Sequence, residues 1–365
     1  MIFFKWAVLI LIFALAFISI CIFVLYRVQK KREEKEDQYL PDYIEDLPPP
    51  QSYQIIGRSP LDPLDGPDWP NMMAMISKRL IKHKVTKVVL INGTFMGEDP
   101  FDLFQALPYL PKSIKSFIIK VSTFIRELIF TDGAQFSHKY LQMLQSSLGE
   151  VDVHSFTWSS SNHHIGRLRG ALKLLELLSS FQDKRILLMA HSHGGQCLAL
   201  LTQILDKKWE CDPLQRQVVN LKKLDLLTLG MPARYRFKLN ENIKLLHLIN
   251  HRTALPLGGH FTGVPFTRDG DYLQQWGVEG SDNPSPSLKD NRLNKELNIV
   301  LGAGTDPLQW KKNIKKRSRV PKDGHTYLID YGDRGFFINT LLGHAIYTRK
   351  SMMLKTFRIL VDFFY

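Results

Sequence analysis

The sequence predicts an α/β protein, a mostly parallel sheet with helices on both faces, preceded by an N-terminal transmembrane helix. Three observations carry this. Short apolar runs of strand length alternate with stretches of helical periodicity from about residue 85 to the end of the chain. One run, residues 185–195 (RILLMAHSHGG), goes from an apolar strand through a serine among small residues into a leucine-rich helix. Residues 7–26 are an apolar stretch without a single charge, long enough to cross a bilayer as a helix.

Taken in order, residues 1–6 form a short flank that holds Lys5, and 7–26 form the span. A cleaved signal peptide competes, because Ala14-Leu15-Ala16 resembles a cleavage site. The apolar run continues through it to Tyr26, which favours an uncleaved anchor. Arg27, Lys30, Lys31, Arg32 and Lys35 follow the span, and basic residues stay on the cytoplasmic side. The expectation is a single-pass protein with its amino end outside and its main domain in the cytoplasm. Residues 27–70 read as a charged, proline-rich linker, with Pro48, Pro49 and Pro50 stiffening it. The globular domain is expected over 71–365.

Within that domain, 87–91, 151–156, 186–189, 224–229, 243–249 and 325–331 read as strands. Residues 167–179, the stretch from about 196 toward 205, and 352–364 read as helices. Apolar strands separated by amphipathic helices imply parallel pairing, with strand carboxyl ends collected on one edge. Residues 250–324 read as an insertion that could cover that edge, since loops this long are commonly functional.

The chain has 365 residues and a net charge of +13, much of it in the juxtamembrane cluster and in 311–319. Basic segments near a bilayer suit anionic lipid headgroups. No zinc spacing, RNA-recognition signature or helix-turn-helix pattern points to nucleic acid, and no such partner is expected. The three cysteines, Cys21, Cys197 and Cys211, make no disulfide framework. Cys197 is expected to pack as a small hydrophobe. His163, His164, His191 and His193 invite a metal reading, but no cysteine or carboxylate accompanies them at a ligand spacing, so neither metal nor cofactor is expected.

Strand, sharp turn with serine at its tip, and helix together form a nucleophile elbow. The serine backbone is strained there, so the residues two places away must be small; Ala190 and Gly194 are. The turn pushes Ser192 Oγ out of the sheet and aims a helix N-terminus, with its unpaired N–H groups, at the same place.

From about residue 85 onward the chain resembles the α/β-hydrolase superfamily, especially its lipase- and esterase-like members. The likeness rests on 88–95 (VVLINGTF), Trp158-Ser159-Ser160, the elbow at 190–195, and 228–232 (TLGMP). It implies Ser192 as nucleophile, an acid, and a histidine after the last strand, in that chain order. His344, in 341–345 (LLGHA), fits the histidine best; His325 is the rival but opens the last strand, toward the wrong edge. The strand 243–249 is followed by no immediate carboxylate. Asp271, whose Gly-Asp-Tyr-Leu setting resembles that of some lipase-like members, is the first choice of acid. Asp306 is next, with Asp269, Asp282 and Asp333 also available. The implied oxyanion donors are the His193 N–H and backbone near Thr94 or Phe95. The resemblance thus implies a membrane-anchored serine hydrolase acting on a carboxylic ester of lipid-like character. A hydrolase fold retained as a tethered, inactive binding module is the competing reading.

Overall fold

The computed structural model describes residues 53–58, 64, 66, 68–94, 111, 113–116, 118–120, 135–182, 185–206, 223–251, 270, 271, 273, 274, 277, 282–285, 287–300, 320–331 and 343–365. The expected span at 7–26 lies outside them. Among the described residues no helix is long and apolar enough to cross a membrane.

Seven strands form one sheet: β1 (Tyr53–Ile56), β2 (Lys87–Ile91), β3 (Asp152–Phe156), β4 (Arg185–His191), β5 (Lys223–Leu229), β6 (Ile243–Asn250) and β7 (His325–Ile329). Their spatial order is β1-β7-β6-β5-β4-β2-β3, and every pairing is parallel. The helices are α1 (Asp68–Lys82), α2 (His138–Leu148), α3 (His164–Ser180), α4 (Gly194–Asp206), α5 (Leu288–Val300) and α6 (Met353–Phe364). Two short 3₁₀ turns, Ala345–Thr348 and Lys350–Met352, precede α6.

A strand covered on both faces reads as a near-continuous apolar run, and β2 is buried throughout, apolar from Val88 to Ile91 after Lys87 at its start. Its alternating side chains then enter different cores. Val88 and Leu90 join Leu187, Met189, Leu227 and Leu246 under α1, α2 and α6, against Met73, Leu144 and Phe357. Val89 and Ile91 join Ile186, Leu188, Leu226 and Leu245 on the other face, under α3 and α4, against Leu174, Cys197 and Leu201. Cys197 is a buried free thiol in this second core.

The register places the strand carboxyl ends side by side. Ile91 pairs with Ala190, His191 with Leu229, Leu229 with Leu248, and Asn250 with Ile329. Backbone hydrogen bonds extend this edge past the strands: Ser192 N to Leu229 O, Gly230 N to Leu248 O, and His251 N to Ile329 O.

The sheet also reaches into the segment read as linker. Residues 53–56 add β1 to the open side of β7, pairing Tyr53 with Thr326 and Ile56 with Ile329. Four residues with Gln54 and Ile55 exposed carry no buried-strand pattern, so their conformation comes from the unpaired edge of β7. Similarly, α1 begins at Asp68, ahead of the expected boundary at 71, with Pro70 inside its first turn. Proline is accommodated there because first-turn N–H groups have no intrahelical acceptor.

Leu188 lies in the fully buried layer between the sheet and α3/α4. Leu188→Ala is expected to cost about 2–5 kcal/mol in denaturant unfolding of the full-length chain. Leu288→Ala, at a side chain 87% exposed, is expected to stay within about 0.5 kcal/mol.

Candidate active site

Ser192 sits between β4 and α4 with φ 55°, in the left-handed region. A non-glycine residue is held there only when its surroundings over-determine the conformation. Here the Ser192 N–H donates to Leu229 O at 2.9 Å, and its carbonyl accepts Gly195 N–H at 3.0 Å. Gly93, in the loop after β2, lies against it: a Cβ on Gly93 would come within 2.6 Å of Ser192 Cβ and 3.1 Å of Oγ. That loop is pinned by Asn92, whose carbonyl accepts Trp158 Nε1–H at 2.8 Å and whose side-chain oxygen accepts Phe136 N–H at 2.7 Å. The Trp158 segment singled out in the sequence therefore holds the Asn92–Gly93 backbone against the elbow.

Asp271 follows β6 and is tied to it by its own N–H, which donates to Asn250 O at 3.0 Å. His344 follows β7, immediately before the first 3₁₀ turn. The two meet: His344 Nδ1 lies 2.9 Å from Asp271 Oδ1 and 2.8 Å from Oδ2. The carboxylate is fully buried and the imidazole is 4% exposed. A carboxylate accepts, so Nδ1 carries the proton and Nε2 is left as the basic nitrogen.

His344 is also held against His191, the residue before Ser192. His191 Nε2–H donates to the His344 carbonyl at 3.0 Å, and their ring centroids are 4.6 Å apart. On the other side, His344 is close enough to His193 to act on its charge. Burial, with the nearby Arg167 guanidinium, holds the His193 imidazole well below its usual range, so the ring is neutral at neutral pH. Its Nε2 is buried without a hydrogen-bond partner among the described residues.

The expected oxyanion donors lie on either side of this point. The His193 N–H makes no backbone hydrogen bond among the described residues. Thr94 directly follows Gly93, and its buried hydroxyl has no partner among the described residues. Phe95 lies outside the described residues, as do Asp269, Asp306 and Asp333. His325 opens β7 opposite Leu246, at the amino ends of the strands, and stacks on Phe363 with centroids 5.2 Å apart. It belongs to the other edge of the sheet.

Asp282 has a different task. Its Oδ1 accepts from Arg167 and Arg234, each at 2.6 Å, with all three side chains at most 4% exposed. The two guanidinium groups hold its carboxyl well below the usual carboxylate range despite burial. Around them, His164 Nδ1 meets Tyr235 Oη at 2.7 Å, and its Nε2 lies 2.8 Å from Asn298 Oδ1. Arg169 adds a bidentate pair with Asp290, at 2.7 and 3.0 Å. This cluster fastens α5 and Asp282 to α3. His163 caps α3, its Nδ1 accepting Gly166 N–H at 3.0 Å. The histidines that invited a metal reading are thus spread over helix-capping, ion-pair and elbow contacts, and no metal-holding group of side chains occurs among the described residues. Arg167, Arg234 and Tyr235 carry no sequence signal of this kind, because each is a single polar residue in an ordinary helix or loop.

Burial pushes His164 down to about 4 from its ordinary 6.5, with Arg234 adding to the effect. Burial likewise pushes His247 down to about 4. Both take up a proton more readily when unfolded. Stability is therefore full above pH 6.5 and is lost progressively as the pH falls toward 4. The urea midpoint of the full-length chain is expected to fall across this window, and His164→Gln is expected to flatten part of the fall. A midpoint equally steep in the variant would remove His164 from the account. Comparison of the chain with known protein families, with curated proteins and with solved structures finds no match in any of the three.

Proposed function

We propose that the chain is a membrane-anchored serine hydrolase of α/β-hydrolase type that cleaves a carboxylic ester of lipid-like character. One observation carries the reading. Three segments far apart in sequence bring a strained serine, a histidine, and a buried carboxylate on that histidine's Nδ1 to one edge of a parallel sheet. A serine hydroxyl is a weak nucleophile at neutral pH and needs such a base.

In this reading His344 Nε2 takes the Ser192 proton as Oγ attacks the ester carbonyl. Asp271 holds the imidazole in the required tautomer and stabilises the imidazolium that forms. Charge on the tetrahedral oxygen meets the His193 N–H and the backbone after Gly93. His344 returns the proton to the departing alcohol, leaving an acyl-enzyme on Ser192. A water activated by the same imidazole then releases the acid. The alternative of an inactive binding module drew on the lack of a carboxylate directly after β6. Asp271, further along, meets His344, and that observation no longer favours it.

The lipid-like substrate and the membrane address rest on the uncharged span at 7–26 and the basic residues behind it. Vesicles carrying the full-length chain, treated with protease from the cytoplasmic face, are expected to lose the hydrolase domain. A domain cut only from the opposite face would overturn that orientation.

The activity is tested with a fluorophosphonate probe on the purified full-length chain in detergent. Labelling is expected at Ser192 and is expected to vanish in Ser192→Ala and His344→Ala. Asp271→Asn, which misdirects the imidazole tautomer, is expected to slow labelling by roughly 10³–10⁴-fold. A folded parent that does not label, or a Ser192→Ala chain that labels as the parent does, would refute the proposal.

A further inference from the structure

We infer that Tyr347 is a positioning residue for the Asp271–His344 pair, its hydroxyl proton fixing the carboxylate and setting how strongly His344 holds a proton. The inference rests on the hydrolase reading and concerns a residue with no part in the nucleophile–base–acid set.

Tyr347 lies in the 3₁₀ turn that starts directly after His344, and it is completely buried. Its hydroxyl accepts the Asn250 backbone N–H at 2.7 Å. With that lone pair occupied, the hydroxyl proton is aimed at Asp271 Oδ2, 2.8 Å away. Oδ1 meanwhile accepts Gln274 N–H at 2.9 Å, and His344 Nδ1 straddles both oxygens. Among the described residues no lysine or arginine pairs with Asp271; its one ion-pair partner is His344. A fully buried carboxylate without a cation depends on hydrogen bonds to its oxygens. Two neutral donors, Gln274 N–H and Tyr347 O–H, therefore govern its basicity. A backbone amide is present whatever the side chain, so the tyrosine is the donor that this sequence specifies.

The local packing admits little else. Gly230 has φ +58°, and a Cβ there would collide with Asp271 Oδ2 and the Tyr347 ring. Asn250 Nδ2 donates to Gly343 O at 3.0 Å, fixing the turn that delivers His344. The other titratable groups facing the pair come from each neighbouring element: His191 at the end of β4, His193 on the elbow, Tyr331 after β7, and His251 after β6. Tyr331 lies edge-on to Tyr347 with ring centroids 5.7 Å apart. Next to the carboxylate, His251 forms a backbone bridge with Gly270.

The sign of the effect follows. Without the tyrosine proton the carboxylate is more basic, stabilises the imidazolium more, and raises the proton affinity of His344. The test is the pH dependence of fluorophosphonate labelling at Ser192 in the full-length chain. Tyr347→Phe is expected to move the acid-side midpoint upward by roughly half to one pH unit. Because the phenylalanine also strands the Asn250 N–H and could weaken the fold, a second variant carries 3-fluorotyrosine at 347. That residue keeps the ring, is a stronger donor, and is expected to move the midpoint downward. Opposite shifts in the two variants support the assignment. Midpoints unchanged in both, with only stability altered, would make Tyr347 a packing residue and overturn it while the hydrolase reading stands. A parent that never labels at Ser192 would bring down both.

Discussion

An ionised carboxylate taken out of water costs several kcal/mol unless each oxygen finds a donor. Asp271 is fully buried, and the arrangement of the candidate site follows from meeting that cost. Its oxygens draw His344 from beyond β7, Tyr347 from the next turn and Gln274 onto one point after β6. The same requirement explains the missing Cβ at Gly230, where the carboxylate and the tyrosine ring lie side by side.

The molecule contains a second buried carboxylate treated in the opposite way. Asp282 is neutralised by two guanidinium groups and takes its place in an anchoring cluster on α3. A carboxylate held by two cations responds weakly to charge formed elsewhere. Asp271, held by neutral donors and one imidazole, is balanced so that charge appearing on His344 is felt directly. That contrast is the physical basis for proposing a catalytic role for one aspartate and an architectural one for the other. It also brings a net positive cluster near His193, which with burial keeps that imidazole neutral.

Much of this was legible in the amino-acid order. Strands buried on both faces are largely apolar runs, so β2, β4, β5 and β6 announce themselves, as does the serine between small residues. The choice of Asp271 and His344 came from the chain order of a resembling family. Their contact is a property of the folded chain. Other elements were hidden for identifiable reasons. β1 is a short edge strand with exposed Gln54 and Ile55, and its signal lies in the unpaired edge of β7. α1 carries Pro70 in its first turn, where proline reads locally as loop. In α5, the polar residues Asp290, Asn294 and Asn298 face the protein rather than water, which inverts the amphipathic pattern by which a surface helix is recognised.

The sequence by itself determined the fold class, the direction of the sheet and the elbow, because hydrophobic periodicity and small-residue spacing are local properties that survive in one dimension. Tertiary structure alone decided which aspartate meets His344, which aspartate is locked by arginines, and that Tyr347 donates to the acid. Those outcomes depend on distances between residues scores of positions apart, and strand register and the packing of the turn after His344 set those distances; no local pattern encodes them.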